Sequence, residues 1–250
     1  MHDDGLHPYY REHKARILRE FRESLRLARP HFDALLPDQP LEALEPALLE
    51  AFEQVFPTLP YVGGADGRMT PFFEQGAGVL ALGRVLRARS VAVPVIATLI
   101  RKTFVARLAS LPEVERRALG ERFLSAENQA FLREQAKASQ ERADPHDFVY
   151  RFVEAGHTPE GEPFGFGIDY TECGFCKLCR RNGDEDLLPH LCALDGEYYA
   201  LRGIDLKRST TIAGGDGRCN FRFRAMPAVT ASPASSAPAA PGESPVRPPA

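Results

Sequence analysis

The stretch from Tyr170 to Phe221 holds most of the side chains able to do chemistry. Cys173, Cys176 and Cys179 follow Glu172 at a spacing of three, then come His190, Cys192 and Asp195, then Arg208, Thr211 and Gly214-Gly215, and Cys219-Asn220-Phe221 closes the set. On an unbroken helix, successive members of the first trio point about 60° apart and its outer members about 120° apart. Only neighbouring pairs converge there, whereas a loop can gather all three for zinc or an iron–sulfur cluster. The chain lacks the second tight cysteine pair of a zinc ribbon, and its spacing lacks the fourth cysteine and proline of the bacterial ferredoxin run. Metal binding and plain burial of the thiols both stay open.

Cys192 and Asp195 are spaced to share a helix face, with Tyr199 one turn further on, while His190 points elsewhere. An aspartate beside a buried thiol needs a cationic partner such as Arg208 or a substrate to act on; a capping or core salt-bridge role is the alternative. Arg208 shares the inward face of an expected strand with Leu206, Thr210 and Ile212. An inward arginine needs an acid there, either Asp195 or a substrate carboxylate gripped by its planar fork, unless it snorkels to the sheet edge. Gly214 to Gly217 reads as a hairpin loop, and Cys219 as a core residue alternating with Arg218 and Asn220.

The elements that must position these groups form an α+β fold: a helical N-terminal half packed with a small antiparallel sheet and two helices in the C-terminal half. Apolar Ile17, Leu18, Phe21, Leu25 and Phe32 recur at helical spacing from Tyr9 to about Leu36. The arginines and glutamates between them read as a solvated face of helix pairs. Further helices are expected over Leu41 to Phe56, Thr70 to Arg87, Val93 to Leu108, and Glu113 to Arg142 with a break near Ser125. The period then changes to two, giving a hairpin of strands over Phe148 to Val153 and Phe164 to Ile168. Helices from Thr171 to Arg181 and Asp186 to Arg202 follow, and strands from Asp205 to Ala213 and Arg218 to Arg224 flank the glycine loop. The domain reading is 1–145 helical, 146–225 α+β with the cysteine cluster, and 226–250 a disordered tail. That tail has seven prolines and seven alanines in 25 residues, too little apolar surface to offset the entropy of ordering it.

A chain of 250 residues, 44% of them hydrophobic, can bury a core without staples. Its net charge of -3 offers no global attraction to nucleic acid or anionic membrane. The start of the chain lacks a secretory signal, and the apolar run from Val91 to Ile100 is about half of the ~20 residues a membrane span requires. A cytoplasmic protein acting on a small molecule is expected, with no nucleic-acid or membrane partner. Five cysteines, an odd number clustered in one segment, argue against a disulfide framework.

Taken as a set, Glu172-Cys173, Leu191-Cys192-Ala193-Leu194-Asp195, Leu206-Lys207-Arg208, Thr211, Gly214-Gly215 and Cys219-Asn220-Phe221 resemble the signature of the L-2-amino-thiazoline-4-carboxylic acid hydrolase family, with Asn220 where that family usually has aspartate. The resemblance covers about Phe148 to Phe223 and implies hydrolytic opening of a cyclic amidine bearing a carboxylate, giving a carbamoyl-cysteine. Under it, Cys192, Asp195 and Cys173 are the candidate catalytic residues, and Arg208, Thr211 and Lys177 the candidate substrate-binding residues. Arg208 would hold the carboxylate, Asp195 the amidinium or a water, and Cys192 or Cys173 would serve as nucleophile or metal ligand. More distantly, the segment is similar to the end of the 4-vinyl reductase ligand-binding domain, whose metal-ligand positions fall here on Cys192, Arg208, Thr211 and Cys219. That likeness implies the alternative of a noncatalytic small-ligand or metal-binding module. Zinc or another divalent metal is then the candidate cofactor, with Cys173, Cys176, Cys192 and Cys219 as candidate ligands.

Overall fold

A computed structural model describes residues 6–227. Six helices come first: α1 (Pro8–Leu35), α2 (Leu41–Val55), α3 (Thr70–Ala88), α4 (Val93–Ala109), α5 (Glu113–Leu124) and α6 (Ala126–Ser139). Then follow β1 (Val149–His157), β2 (Pro163–Glu172), α7 (Gly174–Asn182), α8 (Leu188–Ala200), β3 (Ile204–Lys207) and β4 (Cys219–Ala225). The strands form one antiparallel sheet in the order β1-β2-β4-β3. This is the expected α+β arrangement. The expected Pro/Ala tail lies outside the described residues from 228 onward.

The helices start and stop for local reasons. Ser125 separates α5 from α6 because its hydroxyl accepts the Asn128 N–H at 3.2 Å, an N-cap in an extended backbone. The arginine-rich face of α1 is consumed by pairs, among them Arg16–Glu20, Arg26–Glu23 and Lys14–Glu53. Its other face buries Tyr10, Ile17, Phe21, Leu25 and Phe32. Helix α3 is buried nearly all round and forms the centre of the core. A Cβ on its Gly76 would stand 2.7 Å from the Phe175 ring, so the missing side chain is what lets α7 approach α3. Among the described residues, no helix is long and apolar enough to cross a membrane.

One ion-pair cluster ties α3 to the end of α7. Asp184 is 1% exposed and is gripped by Arg84 (Nη2 to Oδ2 2.7 Å, Nε to Oδ2 3.0 Å) and by Arg87. Removing one partner of a buried pair strands the other charge. Asp184→Ala is therefore expected to destabilise the fold by about 3–5 kcal/mol, read as a lower denaturant midpoint at unchanged m-value.

Several expected boundaries differ: β1 runs on to His157 instead of ending at Val153, α8 starts at Leu188 instead of Asp186, and two more differences shape the site. β2 continues through Glu172, and α7 starts only at Gly174, because Thr171 and Glu172 stay in the sheet: Glu172 pairs with Val149, and the preceding Tyr170 with both Tyr150 and Cys219. The second hairpin is not a tight one, since β3 stops at Lys207 and the chain from Arg208 to Arg218 leaves the ladder. Polar side chains take the backbone donors there: Asn220 Oδ1 accepts from the N–H of Ser209 and Thr210, and Asp216 Oδ2 from that of Thr211. Thr211 Oγ1 caps the short turn Ile212–Gly214, after which Gly215 takes φ +95°.

Candidate active site

Between α3, α8 and the inner face of the sheet lies a cavity of about 100 Å³. Its walls are mostly aromatic and aliphatic, with Met69 and Phe72 from the α3 end, Phe148 and Phe175 beside α7, Leu191 and Leu194 on α8, and Phe221 on β4. The buried inner row of the sheet, Phe166, Ile168, Tyr170, Cys219, Phe221 and Phe223, follows from the period of two. That row carries Tyr170, Cys219 and Phe221 to the cavity.

The one ion pair lining this cavity among the described residues joins Arg208 to Asp195. Arg208 leaves the end of β3, donates from Nη1 to Asp195 Oδ2 at 2.5 Å and from Nη2 to the Cys192 carbonyl at 2.5 Å, and lies 4.9 Å from the centre of the Phe221 ring. Asp195 stands one turn beyond Cys192 on α8, and both line the cavity with Tyr199 and Cys173. The expected face of Cys192, Asp195 and Tyr199 is therefore formed. The expected acid partner of Arg208 is Asp195.

The sequence model of the L-2-amino-thiazoline-4-carboxylic acid hydrolase family matches residues 86–223, more than half of the 250-residue chain. The chain belongs to this family. No curated protein and no solved structure gives a significant match. In this hydrolase-family chain the matched range holds Cys173, Cys192, Asp195, Arg208 and Cys219, all of which line the cavity. Met69, Phe72, Gly76 and Val79 complete the wall from outside that range.

Two residues marked as candidate substrate binders stand away from the cavity. Lys177 Nζ is held by Glu172 Oε2 at 2.6 Å and the Asp147 carbonyl at 2.8 Å, while Arg142 takes the other oxygen of Glu172 at 2.8 Å. Glu172 thus clamps the start of α7 to the chain after α6. Thr211 caps its own turn, as described, and does not line the cavity. Asn220 shapes the path of the chain just after Arg208, a task for which its oxygen, like that of an aspartate, needs only to accept.

Burial sets the ionisation of the site. It raises the Asp195 carboxyl to about 6, with the Arg208 charge and hydrogen bond opposing it. It pushes the Cys192 thiol up to about 12 against the pull of Arg208, and raises Cys219, whose sulfur accepts the Ile212 N–H at 3.2 Å. A hydrogen bond with Cys176, together with burial, holds Cys173 well above the ordinary thiol range. Cys176, the other member of that pair, is lowered to about 7, first by this bond and then by nearby Arg180. The cavity thiols Cys173 and Cys192 are consequently protonated at neutral pH. Among the described residues no group of three or more His, Cys, Asp or Glu side chains is placed to hold a metal ion.

The sequence reading missed the residue behind Tyr170. Arg68 donates from Nη2 to the Tyr170 hydroxyl at 3.1 Å and lies 4.9 Å from the Tyr150 ring, with no carboxylate at salt-bridge distance among the described residues. It sits in the turn before α3, far from the cysteine-rich stretch, and nothing in its local pattern marks it.

Proposed function

We propose that the chain hydrolyses a small zwitterionic cyclic amidine of the 2-amino-thiazoline-4-carboxylate kind to a carbamoyl-cysteine. The observation that carries this reading is the Asp195–Arg208 pair in an otherwise apolar cavity. An ion pair at rest complements a ligand with one charge of each sign: the carboxylate meets Arg208 and the amidinium meets Asp195. Arg208 has donors to spare, since two of its groups are engaged and the guanidinium carries five N–H bonds. Asp195 Oδ1 has no protein donor among the described residues. The cavity, about 100 Å³ against the ~150 Å³ of an engineered cavity that takes benzene, suits one five-membered ring and little more.

In this reading Asp195 is the general base. It takes a proton from water as the water oxygen bonds to the amidine carbon and the C=N electron pair moves to the ring nitrogen. The hydroxyl oxygen then forms the C=O bond as the endocyclic C–N bond breaks with its electron pair on nitrogen, and the amine takes both the hydroxyl proton and the proton held by Asp195 to become the ammonium. One water is consumed and the carbamoyl group remains on sulfur. Cys192, kept protonated by burial, and Cys173, kept so by its Cys176 neighbour and by burial, serve as cavity wall in this scheme and water is the nucleophile. Five free thiols fit a reducing compartment such as the cytoplasm.

The pH profile follows from Asp195. The base must be ionised, and its carboxyl is raised to about 6, so kcat/KM should rise with pH, reach half its plateau near pH 6 and flatten above it. A rate that falls across the same window sinks the assignment. The proposal as a whole is tested by incubating purified protein with L-2-amino-thiazoline-4-carboxylate and following the carbamoyl product. Folded protein that gives no product overturns it.

A further inference from the structure

We propose that Cys173 and Cys176 are a modification site, closing to an intramolecular disulfide when the protein meets a peroxide. Cys173 is the N-cap residue of α7, with extended backbone at φ −113° and ψ 116°, and Cys176 is the third residue of the helix. N-cap and third helical residue are the positions whose side chain and backbone meet in a capping box, so the two side chains start from neighbouring places. Each thiol also shifts the ionisation of the other, Cys173 upward and Cys176 downward, as neighbours in such a placement do. The segment between them is already anchored: the Phe175 ring fills the notch at Gly76 and stacks 5.3 Å from the Phe73 ring. Closing the S–S bond joins two residues within one helix turn, Cys173 at the N-cap and Cys176 three residues on.

Access decides the order of events. Cys173 is half-buried and lines the cavity, while Cys176 and Cys179 are 3% and 0% exposed. A peroxide small enough to enter the cavity meets Cys173 first. The Cys173 proton passes to the Cys176 sulfur, the more acidic of the two, as the Cys173 sulfur attacks one peroxide oxygen; the O–O bond breaks, the leaving hydroxide takes that proton, and a sulfenic acid and one water result. The Cys176 sulfur then attacks the Cys173 sulfur, the S–O bond breaks, and a second water leaves. Two thiols and one hydrogen peroxide become one disulfide and two waters. Cys192 and Cys219 also line the cavity, but they sit on α8 and β4, and neither shares a helix turn with Cys173.

The test counts thiols and needs no turnover, so it stands apart from the hydrolase reading. Full-length protein treated with hydrogen peroxide should lose two of its five free thiols. Its mass should fall by two hydrogens, it should yield a Cys173–Cys176 linked peptide on digestion, and dithiothreitol should restore all the thiols. Cys176→Ser should block the link and leave a sulfenic acid on Cys173 that dimedone traps. Retention of all the thiols by folded protein, or a link from Cys173 to Cys192 in place of Cys176, overturns the proposal.

Discussion

Asp195→Asn is expected to lower kcat by roughly 10²- to 10⁴-fold, the range lost when a general base is removed. The amide keeps the shape of the carboxylate and can still accept from Arg208 Nη1, so the residue on α8 stays in place. It cannot take a proton from water. The same substitution should erase the rise of rate near pH 6, because the group whose carboxyl is raised to about 6 is gone. Circular dichroism establishes that the variant is folded, and the residual rate is then measured across the pH range. A folded variant with wild-type kcat, or one that keeps the acid limb, would remove Asp195 from the chemistry.

Arg208→Lys is expected to act mainly on KM, raising it roughly 10- to 100-fold, the equivalent of one or two charge-assisted hydrogen bonds. Lysine keeps the positive charge beside Asp195 but loses the planar fork that reaches Asp195 and the Cys192 carbonyl together. Arg208→Ala separates the two roles of this residue. Arg208 is what opposes the rise of the Asp195 carboxyl, so its removal should move the acid limb of the pH profile upward as well as weaken binding. An unchanged KM in both folded variants would show that the substrate carboxylate is held elsewhere.

The raised carboxyl also sets a sign for stability. Asp195 binds its proton more tightly in the folded chain than in the unfolded one, so its contribution is fully present below the ordinary aspartate range, near 4, and is lost as pH rises through about 6. The site is therefore a place where the fold tolerates a cost at neutral pH in exchange for a base able to work there.

Much of this protein is legible in its sequence because the information is local. The helical spacing of Ile17, Phe21, Leu25 and Phe32, the helix break near Ser125 and the change to period two after Asp147 each depend on a few adjacent residues, and each is found in place. The pairing of Asp195 with Arg208 was readable too, since an inward arginine needs an acid and a helix turn had brought one beside Cys192. Local pattern could not show where competing partners would win. Arg208 leaves the ladder because Asn220 and Asp216 claim the donors after it, and Lys177 turns from the cavity because Glu172 and Asp147 hold it. Nor could it supply the walls: Met69, Phe72 and Gly76 reach the site only when α3 packs against α7 and α8. The residue types and their spacing determined which groups are able to react. Tertiary structure alone decided which of them share an apolar cavity and which thiols stay protonated there, because desolvation depends on everything that surrounds a group.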